Sequence, residues 1–498
     1  MTTTIPLAHD EELLKGIPLV PYAFAKKYRL IPYGQDATTI YVACSDANSF
    51  EALEDIRFKT KKLVHSVVRA INEIDQAIEE CYHKSSTESD GGESGEQELY
   101  SSEGYDLLDQ AASTGVIRLC NTILIEAITQ KASDIHFEPQ ENMLQVRFRI
   151  DGVLHERKLV QKTYQDELIT RLKVLSKLDI AESRLPQDGR MKLSIGEREI
   201  DFRVSTVPVV FGERVVLRIL DKKNIHLGLD AIGLPEDLLA NLKHLLTKTQ
   251  GIFLVTGPTG SGKTTTLYSA LKEIQSSEMN IMTIEDPVEY KLPHMAQIGV
   301  NPKINLSFST GLRHILRQDP DVIMVGEIRD KETAEIAIQA SLTGHLVLST
   351  LHTNDALSAP IRLIDMGIEP FLISSSLIGI LAQRLVRVIC PACKEGYSPS
   401  DEELKDLKIK EGRPQLYRGR GCAACFGLGY KGRVGIYELL LLSPRMKTLL
   451  HQEQDPAKRQ ELAEGEGFMT LRQQGIRSVL EGITTVEEII RVTGKGEL

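Results

Sequence analysis

Residues 251–274 read GIFLVTGPTGSGKTTTLYSALKEI. The first six are small or apolar and short enough for a buried strand, the last ten suit a helix, and a glycine-rich turn joins them. In that turn Gly257, Pro258, Thr259, Gly260, Ser261, Gly262, Lys263 and Thr264 follow the spacing G-x-x-x-x-G-K-T. Glycines let backbone N–H groups approach phosphate oxygens, the lysine neutralises the β- and γ-phosphates, and the threonine hydroxyl reaches Mg²⁺. Among 498 residues with 37 glycines the pattern arises by chance only ~0.02 times. It is therefore read as a P-loop that binds ATP and Mg²⁺ rather than an ordinary glycine turn, with Thr265 completing the binding set.

Outward from this stretch, short apolar runs recur: IFLVT before the P-loop, IMTI before Glu285-Asp286, VIMV before Gly326-Glu327 and LVLST before Leu351-His352. Continuous apolar runs separated by helices suit a parallel sheet buried on both faces, and polar residues at their C-terminal ends suit a ligand crevice. Phosphoryl transfer needs a carboxylate to hold the metal shell and orient the attacking water. Glu327 is the leading candidate, while Glu285, Asp286 and Glu289 in TIEDPVEY form a second acidic cluster. On sequence alone either Glu285 or Glu327 serves to polarise water. His345 and His352 flank the LVLST strand, where a neutral imidazole can hydrogen-bond a γ-phosphate or can simply be structural.

Two further groups of residues carry chemistry. Arg203 alternates with Ile200, Phe202 and Val204 and so points away from their apolar face; with Arg218 it can reach a triphosphate, or both are surface arginines. Cys390-Pro-Ala-Cys393 and Cys422-Ala-Ala-Cys425 match a four-thiolate zinc site. All four ligands would be protein, leaving no open position, so the zinc would be structural; a redox dithiol is the alternative. Cys44, Cys81 and Cys120 read as buried small side chains.

The chain is too long for one core and suggests roughly three or four domains. No run reaches the ~18 apolar residues of a membrane span. The N-terminus MTTTIPLAHDEELLKG has no basic or apolar signal region, so a cytoplasmic location is expected. A net charge of −10 leans against a nucleic-acid motor, which needs clustered Lys and Arg. The expected division is an α/β domain at 1–83; a flexible acidic linker at 84–105; a second α/β domain at 106–227; and an ATPase domain at 228–498. The last includes a zinc-binding lobe at 388–430 and C-terminal helices at 443–498.

SDIHFEP, RFRIDG, RLPQDGR, DFRVST, FGERVVLRIL, GPTGSGKTTTLY, TIEDPVEY, LRHILRQDPDVIMVGEIRD, GHLVLSTLHTND and the two CxxC pairs together resemble secretion ATPases. The match, over about Val116 to Thr493, is to assembly ATPases of type II secretion systems, within a wider class that includes pilus assembly and retraction motors. The resemblance implies a RecA-like P-loop ATPase domain, a preceding PAS-like α/β domain, a small N-terminal α/β docking domain and a zinc-binding lobe. It implies a homo-hexamer that clamps nucleotide between domains and drives pseudopilus assembly through an inner-membrane platform protein.

By the same resemblance Lys263 and Thr264 hold phosphates and Mg²⁺, and Glu327 is the Walker B carboxylate. Glu285, Asp286 and Glu289 form the Asp box, and His345 and His352 the His box. Arg203 and Arg218 match nucleotide-contacting arginines, and Arg313 and Arg317 lie at subunit or nucleotide contacts. Residues 1–83 resemble the domain that docks on the cytoplasmic part of a membrane-anchored partner, which places the protein peripherally at the inner membrane. They show no Arg-Leu-Gly opening of the cyclic-dinucleotide module found in some pilus motors. The alternatives are a type IV pilus assembly ATPase, a nucleic-acid-translocating RecA-like motor and a scaffold that binds ATP without hydrolysing it.

Overall fold

The computed structural model describes residues 20, 22–36, 38–45, 50–60, 62–84, 105–106, 115–195, 198–220, 228–410, 412–452 and 455–494. The expected linker at 84–105 lies outside them except at its two end residues. The chain divides into two units, Met1–Lys223 and Asn224–Leu498. No helix among the described residues is long and apolar enough to cross a membrane.

Within the first unit, Leu30–Gln35 pairs antiparallel with Thr39–Cys44, which runs parallel to Leu63–Val68. Helices Tyr22–Tyr28, Phe50–Thr60 and Ile71–Lys84 accompany this sheet. Leu30, Ile31, Ile40, Val42, Cys44, Ile74 and Ile78 form its core. Of the three strands, only the middle one, TIYVAC, carries an uninterrupted strand-like run in the sequence. Leu30–Gln35 is interrupted by proline and glycine, and Leu63–Val68 is an edge strand exposed along most of its length, so neither shows clean apolar alternation.

The remainder of this unit is a sheet that begins at the short strand Tyr105–Asp106 and continues through Gln187–Ile195, Arg198–Val209, Gly212–Leu220, Asp134–Pro139, Met143–Ile150 and Val153–Gln161. All of its pairings are antiparallel except the first. Ile135, Phe137, Val146, Phe148, Phe202, Val204, Val215 and Leu217 are buried, as the period-2 alternation demands for one packed face. Helices Gly115–Thr129 and Gln165–Leu175 pack together, and the second rests on Gly212–Leu220.

The second unit carries the P-loop. The strands of its main sheet are β1 (Gly251–Thr256), β2 (Ile281–Glu285), β3 (Ala296–Gly299), β4 (Val322–Val325), β5 (Leu346–Leu351), β6 (Leu377–Ile389) and β7 (Tyr430–Leu441). They lie in the order β3-β2-β4-β5-β1-β6-β7. All neighbours are parallel except β6 and β7. Helix α1 (Lys263–Ile274) covers one face with Leu267, Tyr268 and Leu271. Helices α2 (Phe308–Ile315) and α3 (Lys331–Leu342) cover the other through Leu312, Ile315, Ala334 and Ile338. Burial on both faces is why β1, β2, β4 and β5 are buried at every residue. The register aligns Thr256 with Leu351, and Ile284 with Val325, so the carboxyl ends of these strands share one edge.

Between β6 and β7 the chain makes an excursion that contains all four clustered cysteines. Beyond β7, helices Pro444–Gln452, Pro456–Gly465, Leu471–Leu480 and Val486–Thr493 join the same core through Met446, Ala463, Leu471, Val479 and Ile489. A buried charge cluster anchors the last of them to β6. Glu488, fully buried, accepts from Arg387 Nε at 3.0 Å and Nη2 at 2.8 Å, and from Arg491 Nε at 2.8 Å. Burial alone would raise the Glu488 carboxyl, but the bonds from Arg491 and Arg387 outweigh it and hold it down at about 2.

Because the folded carboxyl titrates below its ordinary 4.5, its contribution is complete above that pH and is lost as the pH falls towards 2. Glu488→Gln leaves two arginines facing a neutral amide and is expected to cost ~3 kcal/mol. The check is amide exchange of residues 486–493, which should accelerate at neutral pH and lose its acid sensitivity between pH 4.5 and 2.

Candidate active site

The P-loop leaves the carboxyl end of β1 and turns into α1. Gly257, Gly260 and Gly262 have φ of 148°, 79° and 89°, a region L side chains rarely enter. A Cβ on Gly257 would stand 2.6 Å from Gln383 O and from Ser261 Oγ, so this turn excludes any larger residue. Thr264 and Thr265, at the start of α1, are exposed. Lys263 Nζ donates to Gly257 O at 2.8 Å and Pro258 O at 3.1 Å, folding its amine over the loop. Burial lowers the Lys263 amine to about 8; the charge of Glu327 pulls it up and that of Arg384 pushes it down. Ser261 Oγ is buried with no hydrogen-bond partner among the described residues. A glycine cradle, a cation and an unsatisfied hydroxyl are the groups a triphosphate would use, and the exposed Thr264 hydroxyl is placed to take the Mg²⁺.

Glu327, just beyond β4, accepts from Arg329 Nη2 and lies 3.3 Å from His352 Nε2. Its charge reaches Lys263, and that of Asp286 reaches Arg329. The structure thus gathers Lys263, Glu327 and His352 from the ends of three strands, with Asp286 and Arg329 beside them.

Glu285 is differently placed. It is buried and accepts from Tyr268 Oη, from Thr283 Oγ1 at 2.6 Å and from Gln297 Nε2 at 3.1 Å. Both carboxylate oxygens are engaged in tying β2 to α1 and β3. Burial and then the bond to Glu285 raise the Tyr268 hydroxyl well above its usual range, so it remains a donor. Asp286 is exposed, and Glu289 is half-buried.

Nor does His345 join the cluster. It precedes β5, its O accepts from Gly251 N at the start of β1, and its Nδ1 lies 2.8 Å from Ala340 O. A six-residue strand separates it from His352, about 20 Å at the usual rise. The two histidines share a sequence motif but stand at opposite ends of one strand. Arg313 pairs with Glu332 at 2.7 Å on the surface, and Arg317 Nη1 bonds Arg313 O at 3.1 Å.

Sequence reading missed Arg329, Gln383 and Arg384. The last two had a signal: with Arg387 they are the polar residues inside the otherwise apolar run LIGILAQRLVRVI of β6. Arg384 is largely buried and donates through Nη2 to Asn354 O at 2.8 Å, joining β6 to the loop that follows His352.

In the first unit, strand register places Arg190, Arg203, Arg218, Asp134 and Arg149 in one transverse row on the face away from the apolar core. Like charges opposite one another are unfavourable. Asp134 relieves part of this, accepting from Arg218 Nε at 3.0 Å and lying 3.6 Å from Arg149 Nε. Alongside, Glu138 is bonded by Arg147 at 2.7 Å and Arg214 at 2.6 Å. Burial would raise the Glu138 carboxyl, yet these arginines hold it below the usual range. The SDIHFEP, RFRIDG and DFRVST motifs therefore build one arginine-rich sheet face.

The sulfurs of Cys390, Cys393, Cys422 and Cys425 all lie within 4.8 Å of one another. Cys390–Cys422 and Cys393–Cys425 are 3.9 Å apart, and Cys422–Cys425 3.7 Å. A tetrahedral zinc with bonds of about 2.3 Å needs sulfurs about 3.8 Å apart, so the set fits a closed structural zinc. Cys422 N and Gly429 N donate to Cys425 Sγ at 3.2 and 3.3 Å, which favours the thiolate a metal requires.

A P-loop on a parallel sheet, with a carboxylate and a histidine at the neighbouring strand ends, defines a RecA-like P-loop ATPase. Residues 109–491 match the family described as Type II/IV secretion system protein, and residues 5–88 match the MshEN domain. The chain belongs to the Type II/IV secretion system protein family and is an ATP-hydrolysing enzyme. It is 48% identical over 488 residues to "Type II secretion system protein E" of Dickeya dadantii, covering 96% of this chain and 97% of that one. To "Type II secretion system ATPase E" of Vibrio cholerae it is 46% identical, with 96% and 97% covered. To "Type IV pilus assembly ATPase PilB" of Myxococcus xanthus it is 44% identical, with 95% and 86% covered. The fold is also shared with the ATPase DotB of Legionella pneumophila, at a TM-score of 0.57 and 20% identity over 79% of this chain and 100% of that one.

Lys263 must be charged to meet phosphates. ATP affinity is expected to be level below pH 8 and to fall up to roughly tenfold per pH unit above it. Lys263→Arg should bind more weakly, with no such dependence; titration with fluorescent ATP between pH 7 and 9.5 checks both. Cys393→Ser should reduce bound zinc, measured by elemental analysis, from about one per chain towards none while leaving ATP binding intact.

Proposed function

We propose that this chain is the ATPase motor of a type II secretion system, hydrolysing ATP to drive pseudopilus assembly and protein export across the outer membrane. The observation that carries the catalytic half is the convergence of Lys263, Glu327 and His352 beside the P-loop. The secretion half rests on near-complete alignment, N-terminal domain included, with chains named for that system.

In this reading the P-loop N–H groups, the Lys263 amine and the Ser261 hydroxyl hold the phosphates. Thr264 and Glu327 hold the Mg²⁺ shell, which when bound neutralises phosphate charge. Glu327 orients the attacking water and His352 orients Glu327. Glu285 acts through structure, because its oxygens are already engaged by Tyr268, Thr283 and Gln297. Arg203 and Arg218 serve as nucleotide contacts, since the row they occupy concentrates positive charge that an anion would relieve.

The working form is a homo-hexamer, peripheral at the cytoplasmic side of the inner membrane. Residues 1–83 dock on the cytoplasmic domain of a membrane-anchored secretion partner, 106–227 and 228–498 act as separate domains, and an inner-membrane platform protein receives the motion. Type IV pilus assembly is a second reading, favoured by the Myxococcus relative.

Glu327→Gln is expected to bind ATP normally and to lose at least ~100-fold in turnover. In a strain lacking the native chain it should fail to restore secretion of exported enzymes. Unchanged phosphate release would refute the assignment of Glu327, and restored pilus extension without restored secretion would favour the second reading.

A further inference from the structure

Gln383 belongs to none of the motifs that define the nucleotide site, yet it reaches the P-loop from β6, the strand beside β1. It is 2% exposed. Its Nε2 donates to Ser261 O at 2.6 Å, and its Oε1 accepts from Thr266 Oγ1 at 2.8 Å. Ser261 O can only accept, so the nitrogen end of the amide must face it, which leaves the oxygen end to take the Thr266 hydroxyl. A Cβ on Gly262 would stand 3.1 Å from Gln383 Nε2, so the amide packs directly beneath the turn.

We propose that Gln383 is a positioning residue for nucleotide binding: by holding the Ser261 carbonyl down towards β6, it aims the Gly262 N–H into the phosphate cradle. In a trans peptide the C=O and the following N–H point in opposite directions. A carbonyl anchored on the sheet side therefore turns the Gly262 N–H to the ligand side. Gly262, at φ 89°, has no side chain to resist rotation of that peptide, and among the described residues no group of the loop bonds Ser261 O. Without the Gln383 bond the peptide can flip, placing a carbonyl where a phosphate oxygen must bind. One external hydrogen bond thereby converts a permissive glycine turn into a preorganised anion site. Thr266, one turn into α1, holds the amide oxygen and so acts through Gln383.

The inference rests on the P-loop being the ATP site, and ATP binding to the wild-type chain tests that reading separately. Gln383→Met keeps the volume and removes both bonds. Gln383→Glu keeps the acceptor for Thr266 but sets a carboxylate against the Ser261 carbonyl. Measured on the full chain with fluorescent ATP and ADP, both variants should weaken binding at least tenfold, Gln383→Glu more than Gln383→Met. Turnover at saturating ATP should stay within about threefold, so that the loss lies in KM, while the nucleotide-free melting temperature should fall by a few degrees in Gln383→Met and further in Gln383→Glu, whose carboxylate is buried. Thr266→Val should weaken binding by a smaller factor in the same pattern. Amide exchange at residues 257–264 without nucleotide should be faster in Gln383→Met than in wild type. Wild-type affinity in Gln383→Met would overturn the proposal, because filling the space would then be the side chain's whole role. Equal loss of kcat with unchanged KM would overturn it as well.

Discussion

A parallel sheet buried on both faces can present polar side chains only where its strands end, and the nucleotide unit is organised by that constraint. Along β1, β2, β4 and β5 every residue is buried, and an unpaired charge there would be costly to desolvate. The catalytic candidates accordingly stand just past the strands: the P-loop after Thr256, Glu327 after Val325 and His352 after Leu351. The shared register aligns these ends, which is how Glu327 comes within hydrogen-bonding range of His352, 25 positions on, and within charge range of Lys263, far earlier in the chain. The same geometry sets His345 aside, because it precedes the strand that His352 follows.

β6 departs from the apolar rule, and its departures are informative. Gln383, Arg384 and Arg387 lie inside a strand of the core, and each has a specific partner: the P-loop, the loop after His352 and the C-terminal helix, respectively. A polar residue survives at such a position only when its hydrogen bonds are satisfied. The strand therefore ties phosphate binding, the histidine loop and the C-terminal helices to one rigid element. The cysteine lobe extends from the end of the same strand, where a closed four-sulfur set can order a stretch of chain with little apolar core of its own.

In the first unit the constraint is the two-sidedness of an antiparallel sheet. One face is filled by helices and the other remains polar. On that polar face the register lines up arginines that a sequence shows only as scattered letters. Asp134 and Glu138, both largely buried, keep the row from repelling itself apart while leaving a strong positive character.

The sequence by itself determined the chemistry at the P-loop, the four-cysteine set and the sheet type, because those depend on residue identity at fixed short spacing and on continuous apolar runs. It also singled out Glu327 and His352, but could not separate Glu285 from Glu327 or His345 from His352. Those distinctions depend on which end of a strand a residue occupies and on what already fills its hydrogen bonds. Edge strands such as Leu63–Val68 carry little periodic signal, since exposure relaxes the requirement for alternation. Only the tertiary structure could decide that Tyr268, Thr283 and Gln297 consume Glu285, that Arg190, Arg203 and Arg218 share a row, and that Gln383 grips the P-loop. Each of these is a contact across strands or helices, set by register and packing rather than by neighbours in the chain.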